Sequence, residues 1–366
     1  LKKDAALTIS WVLAIVSMFF IKPDKAYAGY IDWRSLGILW SLMIITKGYM
    51  QNGIFEKIGH ALLTRTRKMW QLIAVLVGLN FFSSMIITND VSLITFVPFA
   101  IMMLKQCGRQ ELMIPVVVLQ TIAANLGSML TPIGNPQNLY LYSTFGLSAG
   151  TLIRYMLPLT VFSALLLVIA VFLLKNRPLS IDRTAMEESI LPERSSLLFY
   201  LALFLVCLGC VVRIYSWHVM FLVVLAAVLV KDRTLFFRVD YFLLLTFVCF
   251  FVFIGNMERI PAVSSLLTRL ISGREFAAGV LLSQCISNVP AAILLSGFTS
   301  AVRPLLYGVN VGGLGTLIAS LASVISYRAY SEVPGAKTGK YMIVFTGYNF
   351  LFLVLLCAAG WLLLSF

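Results

Sequence analysis

Charged residues are scarce in this sequence. Of its 366 residues, 15 are Asp or Glu and 28 are Lys or Arg, so charged side chains make up 12% of the chain. An average soluble domain carries about 25% charged residues. The deficit argues against an ordinary soluble protein, and a hydrophobic fraction of 60% points to a membrane.

Side chains for catalysis are also few. The chain has two His, and it lacks the HExxH, GxSxG and paired intramembrane Asp motifs of membrane hydrolases. Its six Cys show no metal-ligand spacing, so we interpret them as small hydrophobic residues. We therefore expect no enzymatic activity and no cofactor, apart from Na⁺ as a possible coupling ion.

Long apolar runs replace the missing charge. The clearest are Ala5–Ile21, Thr151–Leu174, Ser196–Val212 and Met342–Phe366. Runs of roughly 17–25 residues suffice to cross a bilayer as helices. We interpret the net charge of +13 as Lys and Arg in cytoplasmic loops, Lys47 among them, and not as a nucleic-acid surface. The sequence thus predicts an all-α, multi-pass integral membrane protein whose partner is the lipid bilayer and not nucleic acid.

After its first helix the chain reads as two similar halves. We divide it into a signal-anchor-like transmembrane helix at 1–31, a first repeat at 32–194, linking transmembrane helices at 195–238 and a second repeat at 239–366. Asp32 and Asp240 each open a helix, and an amphipathic stretch follows each, at residues 50–62 and 260–270.

Each half next has two apolar arms around a polar tip. Asn89-Asp90 forms the first tip and Ser287-Asn288 the second. Three of the four arms are too short to span a bilayer, and a re-entrant hairpin would bury its polar tip in protein and not in lipid. The arms are Trp70–Thr88 with Val91–Leu104, and Phe276–Ile286 with Pro290–Ala301.

A Gly-broken helix follows each hairpin. Writing AANLGSMLTPIGNPQN (123–138) above GVNVGGLGTLIASLAS (308–323) aligns like residues at several positions. The aligned pairs include Asn125 with Asn310, Gly127 with Gly312, Thr131 with Thr316 and Asn135 with Ser320. With a cytoplasmic N-terminus, re-entrant hairpins and crossing broken helices, most Lys and Arg fall inside and the two halves have inverted topology.

Inverted repeats with interrupted helices place a binding site near the membrane midplane, where half-helix ends meet. The N-terminus of each half-helix contributes roughly +0.5 of an elementary charge. We therefore predict a substrate and ion site from the two tips and the two breaks. Its residues are Thr88, Asn89, Asp90, Asn125, Gly127, Ser128, Thr131, Gly134, Asn135, Ser287, Asn288, Asn310, Gly312, Gly313, Gly315 and Thr316.

The coupling ion stays open at this point. Hydroxyl, amide and unwound carbonyl oxygens are hard ligands of the kind Na⁺ prefers. They predict one Na⁺ site at Thr88, Asn89 and Asp90 and another at Ser287, Asn288 and Thr316. The Asp90 carboxylate can instead bind and release a proton.

Four motifs carry a resemblance to a known group. They are TND (88–90), NLGSMLTPIGNPQN (125–138), ISNVP (286–290) and NVGGLGT (310–316). From about residue 30 onward the chain resembles the ion transporter superfamily. That superfamily includes arsenite permeases, NhaD-type sodium/proton antiporters, citrate transporters and divalent anion/sodium symporters.

The resemblance implies an inverted-repeat fold, two re-entrant hairpins, a homodimer in many members, and an elevator-like motion. In the dicarboxylate symporters, paired Ser-Asn-Thr tips bind sodium and the substrate carboxylates. The corresponding tips here read Thr88-Asn89-Asp90 and Ser287-Asn288-Val289. The Asn-Asp pair is more similar to the arsenite-permease and sodium/proton-antiporter branches.

We therefore expect a secondary active transporter of the inner (plasma) membrane, with its N-terminus in the cytoplasm. It would move a small inorganic or organic anion or a metalloid oxyacid, coupled to Na⁺ or H⁺. Two alternatives remain: a Na⁺/H⁺ antiporter in which Asp90 carries both ions in alternation, and a Na⁺-coupled dicarboxylate or citrate symporter. A channel would not need duplicated broken helices of inverted topology.

Overall fold

Helices form the architecture of the chain in its computed structural model, which describes residues 5–53, 66, 68–174 and 194–365. Short turns at Tyr27–Tyr30, Gln110–Leu112 and Arg233–Arg238 connect some of them. The main helices are α1 (Ala5–Phe20), α2 (Trp33–Gln51), α3 (Met69–Ile87), α4 (Asn89–Gln106), α5 (Met113–Ser128), α6 (Pro136–Thr144), α7 (Ala149–Leu173), α8 (Arg194–Val211), α9 (Trp217–Lys231), α10 (Tyr241–Glu258), α11 (Pro261–Ile271), α12 (Glu275–Ile286), α13 (Asn288–Ser296), α14 (Val302–Val311), α15 (Leu321–Ser331) and α16 (Thr338–Leu364). The predicted all-α fold is confirmed.

Six helices in the described ranges are long and apolar enough to cross a membrane. They cover Met69–Ile87, Gln110–Ser128, Ala149–Leu173, Arg194–Val211, Tyr241–Glu258 and Thr338–Leu364. Large apolar side chains such as Phe19, Leu173 and Trp361 are more than two-thirds exposed on the protein surface. Such a surface fits hydrocarbon and not water, which agrees with a multi-pass membrane protein.

The two halves begin with the same local structure. Asp32 precedes α2 and its carboxylate accepts from the Ser35 backbone N–H at 3.1 Å. Asp240 precedes α10 and accepts from the Leu243 N–H at 3.0 Å, with almost the same backbone angles. Each carboxylate satisfies an N–H that the first helical turn leaves without a partner. The two predicted helix starts are confirmed.

The hairpins form as the sequence predicts, with a sharp reversal at each tip. Helices α3 and α4 meet at Thr88, and α12 and α13 meet at Ser287. Both residues have a φ of 75°, with ψ of 151° at Thr88 and 154° at Ser287. Helix α13 ends at Ser296, before the predicted end of that arm at Ala301, and the chain turns at Gly297. Re-entry of the hairpins into a bilayer stays a prediction.

Both predicted helix breaks are confirmed. The chain leaves helical geometry between α5 and α6 and again between α14 and α15. Asn135 restarts the first half's helix by accepting from the Asn138 N–H at 2.9 Å, with Pro136 at the first helical position. Ser320 restarts the second by accepting from the Ala322 N–H at 3.3 Å. Gly315 in the second break has a φ of 102°, which disfavours any side chain.

The element order of the two halves matches. Helices α2 to α7 correspond in turn to α10, α12, α13, α14, α15 and α16. Helix α11 is the amphipathic helix predicted after α10. Its first-half counterpart, predicted at residues 50–62, lies largely outside the described residues. The halves interlock, because α4 packs on α15 and α6 packs on α13. The repeat boundaries and the inverted orientation stay predictions.

The helices outside the repeats form a support. Helix α1 packs along α10, where the Asn256 amide donates to the Ser17 hydroxyl at 2.9 Å and to the Tyr27 hydroxyl at 2.8 Å. Arg259 forms an ion pair with Asp24 at 2.8 Å at the end of this contact. Helices α8 and α9 pack on α2. Helices α1, α8 and α9 thus contact the repeats through α10 and α2, the first helix of each half.

Candidate functional site

Each hairpin tip is hydrogen-bonded to the helix break of its own half. The Asn89 backbone N–H donates to the Gly134 carbonyl at 3.0 Å, and the Asn288 N–H donates to the Ala319 carbonyl at 2.9 Å. Gly134 and Ala319 directly precede the residues that restart α6 and α15. The tips and breaks that the sequence placed in one site therefore do meet, in the same way in both halves.

A second pair of bonds repeats this relationship one turn away. The Thr131 hydroxyl donates to the Met85 carbonyl at 2.5 Å, and the Thr316 hydroxyl donates to the Gln284 carbonyl at 3.1 Å. Met85 and Gln284 both lie three residues before the tip of their hairpin. Each half thus has a cleft between its hairpin and its break, which we call cleft 1 and cleft 2.

Asn125 connects the two halves. Its side-chain oxygen accepts from the Asn89 amide at 3.2 Å and from the Ser320 hydroxyl at 3.0 Å. Its amide nitrogen donates to the Gly313 carbonyl at 3.3 Å. One buried side chain therefore contacts the first tip and the second break.

A second set of Asn side chains also connects the two halves. The Asn135 amide donates to the Asn310 side-chain oxygen at 3.1 Å and to the Ser128 hydroxyl at 3.1 Å. The Asn310 amide donates to the Asn138 side-chain oxygen at 2.7 Å. Asn135, Asn138 and Asn310 are at most 2% exposed. The sequence analysis omitted Asn138, although it lies one helical turn after Asn135 in the same NPQN segment.

Four helix N-termini meet around this amide network. They belong to α4, α6, α13 and α15, whose first residues or N-caps are Asn89, Asn135, Asn288 and Ser320. Each terminus carries a partial positive charge, and some of its first N–H groups are already bonded within the tips and breaks. Among the described residues, no Lys or Arg hydrogen-bonds to the network. The centre can therefore attract an anion or the oxygens of a neutral oxyacid through dipoles and amides alone.

The predicted glycines mostly permit close packing. A Cβ on Gly127 would collide with the Phe81 carbonyl, and one on Gly312 would collide with the Ser283 side chain and the Gly308 carbonyl. Gly134 faces the Ser128 carbonyl in the same way. Gly127 and Gly312 bring the breaks against the hairpins, and Gly134 lets the first break fold on itself. A direct role of any predicted residue in binding stays a prediction.

Asp90 lies apart from the amide network. Its backbone N–H donates to the Asn89 side-chain oxygen at 2.9 Å, but its side chain lines a cavity of about 100 Å³ among α2, α4, α6, α10 and α15. Thr88, Lys47 and Asp240 line the same cavity. Lys47 and Asp240 both interact electrostatically with the Asp90 carboxylate.

Lys47 is a residue whose position the sequence analysis did not anticipate. It was assigned to a cytoplasmic loop, whereas α2 continues to Gln51 and carries the partly buried Lys47 side chain to the Asp90 cavity. A single Lys within the apolar run LGILWSLMIITKGYM was the available signal. An ionisable residue inside such a run marks a functional site by default.

Gln284, like Asn138 and Lys47, was not among the predicted site residues. From α12 its amide nitrogen donates to the carbonyls of Gly312 and Leu314, at 2.9 Å each. Its side-chain oxygen accepts from the Thr316 backbone N–H at 2.9 Å. Cleft 2 is thus held together by one glutamine side chain, which cleft 1 lacks.

The sequence has relatives that agree with this architecture. The model of the citrate transporter family matches residues 3–322. The chain belongs to the citrate transporter family. This confirms the predicted resemblance to the ion transporter superfamily, and the protein is a multi-pass membrane transporter.

Two relatives match this chain over most of their length. The chain is 30% identical over 338 residues to an uncharacterized transporter of Methanocaldococcus jannaschii, which covers 92% of this chain and 91% of the relative. It is 31% identical over 330 residues to the inner membrane protein YbiR of Escherichia coli, covering 88% of this chain and 87% of that protein. A shorter match, 33% identical over 138 residues, links it to the silicon efflux transporter LSI3 of Oryza sativa, covering 37% of this chain and 27% of that one.

Proposed function

We propose that this transporter moves a small anion or metalloid oxyacid across the inner (plasma) membrane, coupled to protons that bind Asp90. The observation that carries the proposal is the position of the Asp90 carboxylate. It lies in a cavity beside Lys47 and next to the tip of a hairpin that contacts the amide network. Proton binding at this position can therefore affect the tip through Asn89, the adjacent residue.

The ligands around Asp90 favour H⁺ over Na⁺. A Na⁺ ion there needs several free oxygen ligands, and the Lys47 ammonium in the cavity offsets the attraction of the Asp240 carboxylate. The Asn89 side-chain oxygen already accepts from the Asp90 N–H, and the Asn125 oxygen accepts two hydrogen bonds. A proton needs the carboxylate alone, and carboxylates inside membranes commonly act as proton relays.

The amide network favours a small cargo. Its Asn side chains are at most 4% exposed and bond to one another, so a cargo that enters must be compact and rich in oxygen atoms. Helix N-termini attract a negative charge and also suit the hydroxyls of an uncharged oxyacid. The silicon efflux activity in one relative's name and the citrate in the family's name both fit an oxygen-rich cargo.

An elevator-like motion is supported by the contacts around cleft 1. An apolar cavity of about 650 Å³ separates Gly78 and Phe82 on α3 from Leu201 and Phe204 on α8. Few polar groups line this gap, so hydrogen bonds there do little to oppose sliding of the hairpin past the linking helices. Dimerisation through the linking helices would keep them fixed, and it belongs to the same proposal.

The test is substrate-driven proton flux into proteoliposomes that contain a pH-sensitive dye. Arsenite, silicic acid and citrate are added in turn, with choline replacing Na⁺. At least one is expected to change the internal pH with the wild type and not with Asp90→Asn. Glu111→Gln is the matched control, because it removes an exposed carboxylate at the protein surface.

Three outcomes would contradict the proposal. Proton flux that persists in Asp90→Asn would exclude Asp90 as the proton site. A pH change driven by Na⁺ alone, without any added anion, would replace the proposal with Na⁺/H⁺ antiport. Flux of citrate that requires Na⁺ would instead favour a Na⁺-coupled symporter.

A further inference from the structure

Cleft 2 contains the oxygen atoms that a coupling cation would need, but they already have partners. The Gly312 and Leu314 carbonyls accept from the Gln284 amide nitrogen, and so does the Val280 carbonyl at 3.2 Å. The Thr316 hydroxyl is bonded to the Gln284 carbonyl at 3.1 Å. The Gly312 and Leu314 carbonyls, which would complete the shell of a Na⁺ ion at Ser287, Asn288 and Thr316, are therefore already occupied by the Gln284 amide.

The geometry around the amide nitrogen resembles a ligand shell. Three backbone carbonyls point at one nitrogen atom that carries two polarised N–H groups. The partner oxygen of the same amide accepts the Thr316 N–H at 2.9 Å and fixes the orientation of the group. Gly315 has a φ of 102°, and a Cβ there would collide with this oxygen. The carbonyls of the break thus face the Gln284 amide nitrogen as they would face a bound ion.

Cleft 1 provides an internal comparison. Met85 has the position of Gln284, because its carbonyl accepts from Thr131 as that of Gln284 accepts from Thr316. A Met side chain has no donor to offer the break carbonyls. In cleft 1 the Met129 carbonyl is instead bonded by Asn138, which lies on α6 and not on the hairpin, at 2.8 Å.

The residue that aligns with Asn138 in the second half is Ser323. Its hydroxyl is buried and has no hydrogen-bond partner within the described part of the chain. Ser323 is too short to take over the role of Asn138, and Gln284 on the hairpin supplies the donor instead. The donor has therefore moved from the helix to the hairpin, and in cleft 2 it joins the hairpin directly to the break.

We propose that Gln284 is a specificity-determining residue whose side-chain amide permanently replaces a coupling cation in cleft 2. The second hairpin then stays closed on its break without Na⁺, and ion coupling is confined to the Asp90 half. This inference rests on the proposed function only for that last point. Removing the amide would leave three carbonyls pointing at a vacant position, which a monovalent cation of suitable size can fill.

The experiment measures the Tm of the purified protein against Na⁺, with K⁺ and choline at equal ionic strength. Gln284→Ala is expected to unfold at a lower temperature than the wild type in choline, and to gain a Na⁺-specific rise that the wild type lacks. At a Na⁺ concentration ten times the dissociation constant, the rise should be about 2 °C. Gln284→Glu, which keeps the shape of the side chain and adds a negative charge, should show a larger Na⁺-dependent rise at pH 8.

Gln120→Ala and Gln120→Glu are the matched controls. The Gln120 amide is also buried and donates to two carbonyls, those of Leu76 and Phe96, at 3.2 Å each, but outside both clefts. These variants should lose stability without a Na⁺ response. If the Gln284 variants behave like the Gln120 variants, or if the wild type shows the same Na⁺ response as Gln284→Ala, the inference is wrong.

These outcomes are separate from those that test proton coupling. The Tm measurement needs no substrate and no transport, so the Gln284 inference can fail while Asp90-dependent proton flux remains. Conversely, the Na⁺ response of Gln284→Ala can appear even if Asp90 does not carry protons. Adding Asp90→Asn to Gln284→Ala checks this directly, because the gained response should persist in the double variant.

Discussion

The side-chain amide of Asn135 donates to the side-chain oxygen of Asn310 at 3.1 Å, and so joins the two broken helices at their interruptions. The two residues are 175 positions apart in the chain and are at most 2% exposed. Each also bonds within its surroundings, Asn135 to Ser128 and Asn310 to Asn138. The bond makes the geometry of one break depend on the other.

Replacing either residue by Ala should therefore destabilise the fold and impair transport. Each substitution leaves buried amide groups without a partner, which costs about 1–3 kcal/mol. In the double variant Asn135→Ala with Asn310→Ala, the two losses should be less than additive, with a coupling of about 0.5–3 kcal/mol. The measurement is the free energy of unfolding in mixed micelles.

The matched control pairs Asn310→Ala with Asn349→Ala. Asn349 is also buried, but its amide donates only to the Phe345 carbonyl within its own helix. That double variant should be additive. Additivity in the Asn135–Asn310 pair as well would mean that the bond does not couple the two halves.

Much of this site could be predicted from the sequence because its signals are local. Helix starts at Asp32 and Asp240, breaks at glycine and restarts at Asn135 and Ser320 depend on backbone chemistry within a few residues. The match between the two halves then indicated which local features belong together. Those features fixed the hairpins, the breaks and the residues that meet between them.

What the sequence could not show is where a side chain points after folding. Thr88, Asn89 and Asp90 were predicted as one cation site, yet Asn89 bonds to Asn125 while Asp90 faces Lys47 across a separate cavity. Successive residues on a helix are about 100° apart, so neighbours in sequence do not face the same group. Gln284 was missed for a related reason, since its role depends on carbonyls 28 and 30 residues away.

The backbone conformation of the hairpin tips predicts that a substitution by glycine stabilises the protein. Thr88 and Ser287 have a φ of 75° with ψ near 150°, a region that is almost restricted to glycine and costs of order 1–3 kcal/mol for other residues. Glycine itself costs about 0.5–1 kcal/mol through the entropy of the unfolded chain. Thr88→Gly should therefore stabilise the protein by roughly 0.5–2 kcal/mol, while the looser tip lowers the transport rate.

Thr88→Ala is the control for this effect. It removes the same hydroxyl and methyl groups but keeps a Cβ in the disfavoured region, so it should not gain stability. Unfolding in mixed micelles and flux in proteoliposomes are measured for both variants. Equal stability of the Gly and Ala variants would show that the tip backbone is not strained.

The Asp24–Arg259 ion pair predicts a pH-dependent contribution to stability. The Arg259 side chain donates to the Asp24 carboxylate at 2.8 Å and holds the pKa of Asp24 below its usual value. A group whose pKa is lowered on folding contributes stability above its unfolded pKa of about 3.9. That contribution is lost as the pH falls through the lower pKa of the folded state.

Asp24→Asn should therefore lower the Tm slightly at pH 7, with a difference from the wild type that shrinks toward zero below pH ~3.9. The pair is exposed, so high salt should reduce the effect at neutral pH. Glu332→Gln, at an exposed site on α15's end, serves as the control. A Tm difference that stays constant from pH 7 to pH 3 would contradict an electrostatic origin.

Lys47 provides the most direct test of the Asp90 cavity. Lys47→Met removes the cation that shares the cavity with the Asp90 carboxylate. The variant should therefore be less stable and should show less substrate-driven proton flux. A rise of about 1.4 kcal/mol in the transport barrier would lower the flux about tenfold. Adding Asp90→Asn should recover part of the lost stability, because it removes one of the two carboxylates, Asp90 and Asp240, that Lys47→Met leaves in the cavity, but it should not recover the proton flux. Lys105→Met, at an exposed position near the end of α4, should change neither quantity. If the double variant is less stable than Lys47→Met alone, the two charges do not compensate each other, and Lys47 acts on transport through some contact other than Asp90.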